Sequence, residues 1–253
     1  MPTVRQLFVT ACLLTFVSVA LAQGQPHGKP QPITSGPYKP VAVKAPQAIN
    51  DPALEALRKQ LSEVAPRKDR AALAKLVVGQ GFFWIGEKGD RADKRKSGID
   101  NLAAALGLKN KDGAGWDMLA SFADDPTGAP LPNRKDAICA PADPTFDSKA
   151  FNDLLVSTKT DSGDWGYPVS ADVEIRATPQ ANAPVTEKLG SVFVRIATDN
   201  NSNATFLRVV TPSGKAGFVS ADSVAPIGND QLCYVKETGD WKIGGYVGAG
   251  DVP

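Results

Sequence analysis

The chain is poor in the side chains on which most enzyme mechanisms turn. Its 253 residues include one histidine, His27, and three cysteines. With one histidine, a mechanism needing two histidines, a Cys/His metal cage or a Ser-His-Asp relay is not expected. Most hydrolase chemistry goes with them. No catalytic residue, metal ligand or cofactor is assigned. Charge of one sign is lacking too: 28 Lys+Arg stand against 27 Asp+Glu, a formal net charge of +1. Without a basic excess, no nucleic-acid partner is expected.

A long apolar run occurs once, at the start. Arg5 is followed by an apolar stretch over residues 7–21, interrupted by Thr10, Thr15 and Ser18, and then by Ala20-Leu21-Ala22. An uninterrupted span needs about 20 apolar residues, whereas small residues at 20 and 22 fit the cleavage pattern of a secretory signal. Residues 1–22 are therefore read as a signal peptide, with a periplasmic or secreted product and no membrane span after cleavage. Cys12 leaves with the signal. The two remaining cysteines, Cys139 and Cys233, are most simply read as one disulfide, a pair of buried thiols being the alternative. A catalytic thiol would lack a histidine to activate it.

Residues 23–50 are rich in Pro, Gly, Gln and Lys and are expected to be a disordered linker that carries His27 without a role. Residues 51–160 read as a helical module. Asp51-Pro52 has the form of an N-cap and first helical residue, and Leu54, Leu57, Leu61 and Val64 share one face before Pro66 ends the helix. A second helix starts near Asp69, and Phe82-Phe83-Trp84-Ile85 is a short buried strand or core-anchoring turn. Ser97-Gly98-Ile99-Asp100 has capping-box form with Asp in place of Glu. Further helices are expected at 116–123 and 147–155, with loop over 124–144. After Thr160 the pattern shifts to short alternating or β-branched runs separated by Pro, Gly and Asn turns, giving a small barrel or sandwich with a C-terminal hairpin over 161–253.

Several local clusters have ordinary readings. Asn110-Lys111-Asp112-Gly113 resembles part of a calcium loop, but its first and twelfth positions would be Leu108 and Leu119, so a helix-to-helix turn capped by Asp112 is expected. Arg91, Lys94, Arg95 and Lys96 are interrupted by Asp90 and Asp93 and form a solvated face. The pairs Asp124-Asp125 and Asp161 with Asp164 lie in Pro/Gly-rich sequence where acids are common. Asp164-Trp165-Gly166-Tyr167-Pro168 has two readings. Trp165 and Tyr167 are a candidate stacking wall for a peptide or glycan, or Trp165 packs across the junction between modules. Trp241 and Tyr246 carry a similar ambiguity.

Val173-Glu174-Ile175-Arg176-Ala177-Thr178-Pro179, Ala183-Pro184-Val185, Leu189-Gly190, Val194-Arg195-Ile196, Leu207-Arg208-Val209 and the run from Pro212 through Gly214 to Val219 occur in order. Over residues 171–226 this series resembles the bacterial SH3-type (SH3b) domain, with Phe206 where that family usually carries Trp. The segment from Leu54 to Leu155 looks like the helical region preceding SH3b domains in exported bacterial proteins, the shared feature being a helix pair around Arg67 to Ala74 and then an aromatic strand. The resemblance implies an α+β chain with a small helical N-terminal module followed by an SH3-like β-barrel. It implies a non-enzymatic envelope binding or adaptor protein, whose partner is peptidoglycan or an envelope protein. A cell-wall hydrolase or accessory subunit targeted by the barrel is the alternative, disfavoured by the missing histidine and cysteine nucleophile.

Overall fold

The computed structural model describes residues 36–197 and 202–248. The expected signal peptide, Cys12, His27 and the first part of the expected linker lie outside the described residues. The architecture is mixed α and β, with five helices and three sheets among the described residues.

The helices begin where side chains can satisfy their first N–H groups. After the short strand β1 (Val43–Lys44), Asp51 Oδ1 accepts from the N–H of Ala53 at 2.9 Å and of Leu54 at 3.1 Å, opening α1 (Pro52–Val64). Asp69 accepts from Ala72 N–H at 3.0 Å and opens α2 (Arg70–Leu76). Strands β2 (Phe83–Gly86) and β3 (Gly89–Asp90) follow. Ser97 caps α3 (Gly98–Ala105) by accepting from Asp100 N–H. Asp100, one carbon shorter than the usual Glu, takes the Ser97 hydroxyl proton at 2.6 Å instead and also pairs with Arg70. The turn at Asp112 behaves as expected, its carboxylate accepting from Ala114 N–H at the start of α4 (Ala114–Asp124). Leu54, Leu57, Leu61, Leu73, Leu102, Leu119 and Phe122 from these helices form one core.

The expected loop over 124–144 contains a hairpin, β4 (Ala129–Leu131) with β5 (Arg134–Ala140). Its outer half is polar and exposed, so apolar patterning is confined to the few residues near Cys139. Then come β6 (Thr145–Phe146), α5 (Ser148–Thr158) and seven strands: β7 (Trp165–Pro168), β8 (Val173–Arg176), β9 (Val185–Leu189), β10 (Val194–Ala197), β11 (Phe206–Val210), β12 (Ala216–Ser220) and β13 (Val224–Pro226). These seven form an antiparallel, half-barrel-like sheet in the order β13-β7-β10-β11-β12-β8-β9 around Val173, Ile175, Val194, Val209 and Val219.

The closing hairpin, β14 (Gln231–Glu237) and β15 (Asp240–Val247), departs from the expected domain division. It joins the other sheet, in the order β3-β2-β15-β14-β5-β4, with β14 antiparallel to β5 and β15 parallel to β2. The reason is the apolar load of the hairpin. Leu232, Tyr234, Ile243 and Tyr246 bury into the core made by the helices, and Cys233 sits directly opposite Cys139. These two cysteines are bonded, Sγ–Sγ 2.01 Å, across 94 residues of sequence.

A second departure concerns residues 36–50. Tyr38 N–H donates to Pro212 O, Val43 N–H donates to Ser191 O, and Phe193 N–H donates to Val41 O. The buried Tyr38 hydroxyl donates within reach of Val210 O at 2.9 Å and Phe193 O at 3.2 Å. Between its prolines the segment places Tyr38, Val41 and Val43 inward, and β1 pairs with β6. It is a strap across the seven-stranded sheet, not a linker. Gly214, at φ +81°, is required beneath it, because a Cβ there would lie 2.8 Å from Pro37 N. No helix among the described residues is long and apolar enough to cross a membrane.

Alkylation of the unreduced, unfolded chain is expected to label neither Cys139 nor Cys233. Reduction is expected to lower stability by up to about 4–5 kcal/mol, the chain-entropy value for a loop of this length, read from urea unfolding with and without reductant. Truncating the strap anchor, Tyr38→Ala, should cost about 3–5 kcal/mol, as for other large buried rings. A loss under about 1 kcal/mol in the same assay would show that the strap is not anchored there.

Candidate functional site

Trp165 and Tyr167 lie two residues apart on β7 and so project to the same face. Trp165 retains 0% of its surface. Its indole N–H donates to Thr160 Oγ1 at 2.8 Å and its ring meets Tyr38 edge-on at 4.9 Å, within a cluster containing Phe151 and Phe193. A ring with no exposed face offers nothing to stack on, so the junction-packing reading holds for Trp165. Tyr167 is buried to 3% exposure, yet it lines a cleft of about 680 Å³.

That cleft opens where four stretches of chain meet. The strap contributes Ala45, Pro46 and Ala48; the end of α4 contributes Met118 and Phe122. Pro141 and Ala142 come from the exit of β5, and Val169 and Ala225 from the seven-stranded sheet. The walls are mainly apolar, and its volume falls within the range typical of small-ligand sites.

The polar groups of the cleft are held in place by neighbours. Asp125 ends α4, and its Oδ1 accepts from both the N–H and the hydroxyl of Thr127, at 2.7 and 2.6 Å. Thr127 Oγ1 in turn accepts from Ala142 N–H at 2.9 Å. Behind it, the buried Arg58 of α1 donates to the Asp125 carbonyl at 2.6 Å, neutralising a carbonyl at the negative end of α4. Asp230, just before β14, accepts the Tyr246 hydroxyl. Gly248 lies close beside it, a Cβ there falling 2.4 Å from Asp230 Oδ1, so a side chain at 248 would displace the carboxylate. Asp143 lies beyond the rim, where Gln231 Nε2 bridges it to Pro141 O.

The cleft therefore presents Asp125 and Asp230, with no Lys or Arg among its lining residues. The Tyr167 hydroxyl makes no hydrogen bond among the described residues. Burial pushes its pKa up, and the Asp143 and Asp125 charges add to the rise, so the group stays protonated.

The remaining sequence candidates lie elsewhere. Trp241 donates its indole N–H to Asp51 Oδ2 at 3.0 Å, fixing the start of α1, while Tyr246 braces Asp230. Arg91 lies over the Trp84 ring at 4.4 Å and Arg95 pairs with Asp93, on an exposed face as expected. Asp164 accepts from Asp161 N–H at 3.0 Å and caps a short 3₁₀ turn. Of the pair Asp124-Asp125, only Asp125 reaches the cleft. The strap residues carried no sequence signal, because their partners are distant in sequence, as with Tyr38 and Val210 at a separation of 172; Asp230 has its hydrogen-bond partner only 16 residues on and gains its place from the segments that meet around it. Among the described residues no group of three His, Cys, Asp or Glu side chains could hold a metal ion. No protein-family model, curated protein or solved structure matches the chain.

All four tyrosines have pKa values raised by burial, Asp230 adding to the shift of Tyr246. In the unfolded chain each phenol ionises near pH 10. The folded state resists that ionisation, so its contribution to stability is complete below about pH 10 and is lost as the pH rises through the higher folded values. Phenolate absorbance is expected to appear only together with loss of circular dichroism. A phenol that titrates near pH 10 in the still-folded chain would contradict the burial described for that ring.

Proposed function

We propose that this protein is a non-enzymatic binding or adaptor protein of the bacterial envelope, with an SH3b-type barrel and the cleft beside it as the ligand site. The cleft carries the reading: it is apolar, open to solvent, and furnished with held polar groups, whereas the sequence supplies no histidine or thiol to act on a bound molecule beyond His27. Support for the barrel comes from the strands. The motifs that resemble SH3b follow one another along β8, β9, β10, β11 and β12, two of them on β9, and β12 pairs with β8. The signal-like residues 1–22 and the disulfide both suit an oxidising compartment outside the cytoplasm.

The test is sedimentation of the mature chain with purified peptidoglycan. Retention without release of soluble wall fragments is expected. Release of fragments would favour a hydrolase, and a protein left wholly in the supernatant would favour an accessory subunit whose partner is another protein.

A further inference from the structure

The ligand group that suits the cleft can be read from what its walls lack. Asp125 and Asp230 both line it, Asp143 lies beyond its rim, and among the described residues no lining side chain carries a positive charge. An anionic ligand would be repelled by every charge it met. Arg58 does not offset this, because it is buried behind the cleft and spent on the Asp125 carbonyl. Only one oxygen of each carboxylate is accounted for by neighbours: Asp125 Oδ1 by Thr127 and Asp230 Oδ2 by Tyr246. The other oxygen of each makes no hydrogen bond among the described residues.

Tyr167 gives an independent indication. The ring is buried to 3% residue exposure, yet the hydroxyl is not among the buried atoms left without a partner and makes no hydrogen bond among the described residues, so it is open to the cleft and free to meet a ligand. Its oxygen can accept a hydrogen bond from a ligand while its O–H remains protonated and available to donate to an acceptor. Around these groups the surface is Pro46, Met118, Phe122, Pro141 and Val169, which suits methylene chains or a ring. Prolines in the wall also lack backbone N–H groups, so recognition does not run through addition of a β-strand.

We propose that the cleft binds a primary ammonium group carried on a short apolar chain, its lining offering Asp125, Asp230 and Tyr167 as acceptors while the chain lies against the apolar wall. The proposal rests on the cleft being the ligand site of the binding protein described above, and it fixes the chemical class of that ligand as a cationic amine, as presented by a peptide side chain or terminus.

Three probes with one skeleton test it: 4-phenylbutylamine, 4-phenylbutanol and 4-phenylbutyrate, titrated into the mature protein by calorimetry and by amide chemical shifts. The amine is expected to bind roughly tenfold or more tightly than the alcohol, as a hydrogen bond to a charged group allows, and the carboxylate is expected not to bind. Asp125→Asn and Asp230→Asn keep the acceptors used by Thr127 and Tyr246, and Tyr167→Phe keeps the ring. Each should lower amine affinity about three- to tenfold and leave the alcohol unchanged, with unaltered circular dichroism. Equal binding of amine and alcohol, with shifts confined to the cleft, would overturn the ammonium assignment and leave the cleft as a ligand site. Failure of all three probes to shift any cleft residue would overturn both.

Discussion

The pairing of β14 with β5, and of β15 with β2, is the constraint from which the other features follow. It requires the chain to leave the helical core after β5, build the whole seven-stranded sheet, and return to a slot already bounded by two strands. The sheet of β7 to β13 is thus an insertion held at both ends, not a module hung from one. The returning hairpin fills the middle of its new sheet with Tyr234, Ile243 and Tyr246, all fully buried or nearly so. Helices α1 and α3 pack on β15 and Phe122 of α4 meets Tyr246 at 6.4 Å, so without the hairpin the helical core would lose a wall. Burial on that scale is the main stabilising term available to a domain of this size.

Anchoring at both ends also explains why the cleft exists. The exit from β5 supplies Pro141 and Ala142, the entry to β14 supplies Asn229 and Asp230, and α4 and the strap close the remaining sides. Each wall is secured to a different part of the molecule. Thr127 holds Asp125 to the β5 exit, Gln231 ties the β14 entry to Pro141, and Tyr38 ties the strap to β10 and β11. A site so braced needs little ordering when a ligand arrives, and preorganisation of this kind favours affinity.

Local structure was legible in the sequence to the extent that it is written in neighbouring residues. Asp51, Asp69 and Ser97 cap the helices they were expected to cap, and the helical faces through Leu54 to Val64 and Leu102 to Leu106 point inward. The Cys139–Cys233 bridge followed from a count of two. What could not be read was the partner of each strand. Nothing local tells that the hairpin at 231–247 pairs with residues near 83 and 139, or that Tyr38 docks on Val210 across 172 residues. The strap was obscured by its prolines, which dominate composition while Tyr38, Val41 and Val43 do the packing. For the site, Tyr167 was singled out as an aromatic beside Trp165, but Asp230 and Pro46 acquire meaning only once distant segments meet.

The position of the disulfide has a mechanical side. A tension applied between the two ends of the described chain is transmitted along covalent bonds from residue 36 to Cys139, through the bridge to Cys233, and on to residue 248. The insertion, with every strand of the seven-stranded sheet, is bypassed. At about 3.5 Å per residue the 94 residues between the cysteines hold roughly 330 Å of contour that stretching cannot release while the bridge is intact. Pulling on the ends would then reach the inserted sheet only through the docked strap, whose contacts are non-covalent, while the covalent path runs outside it.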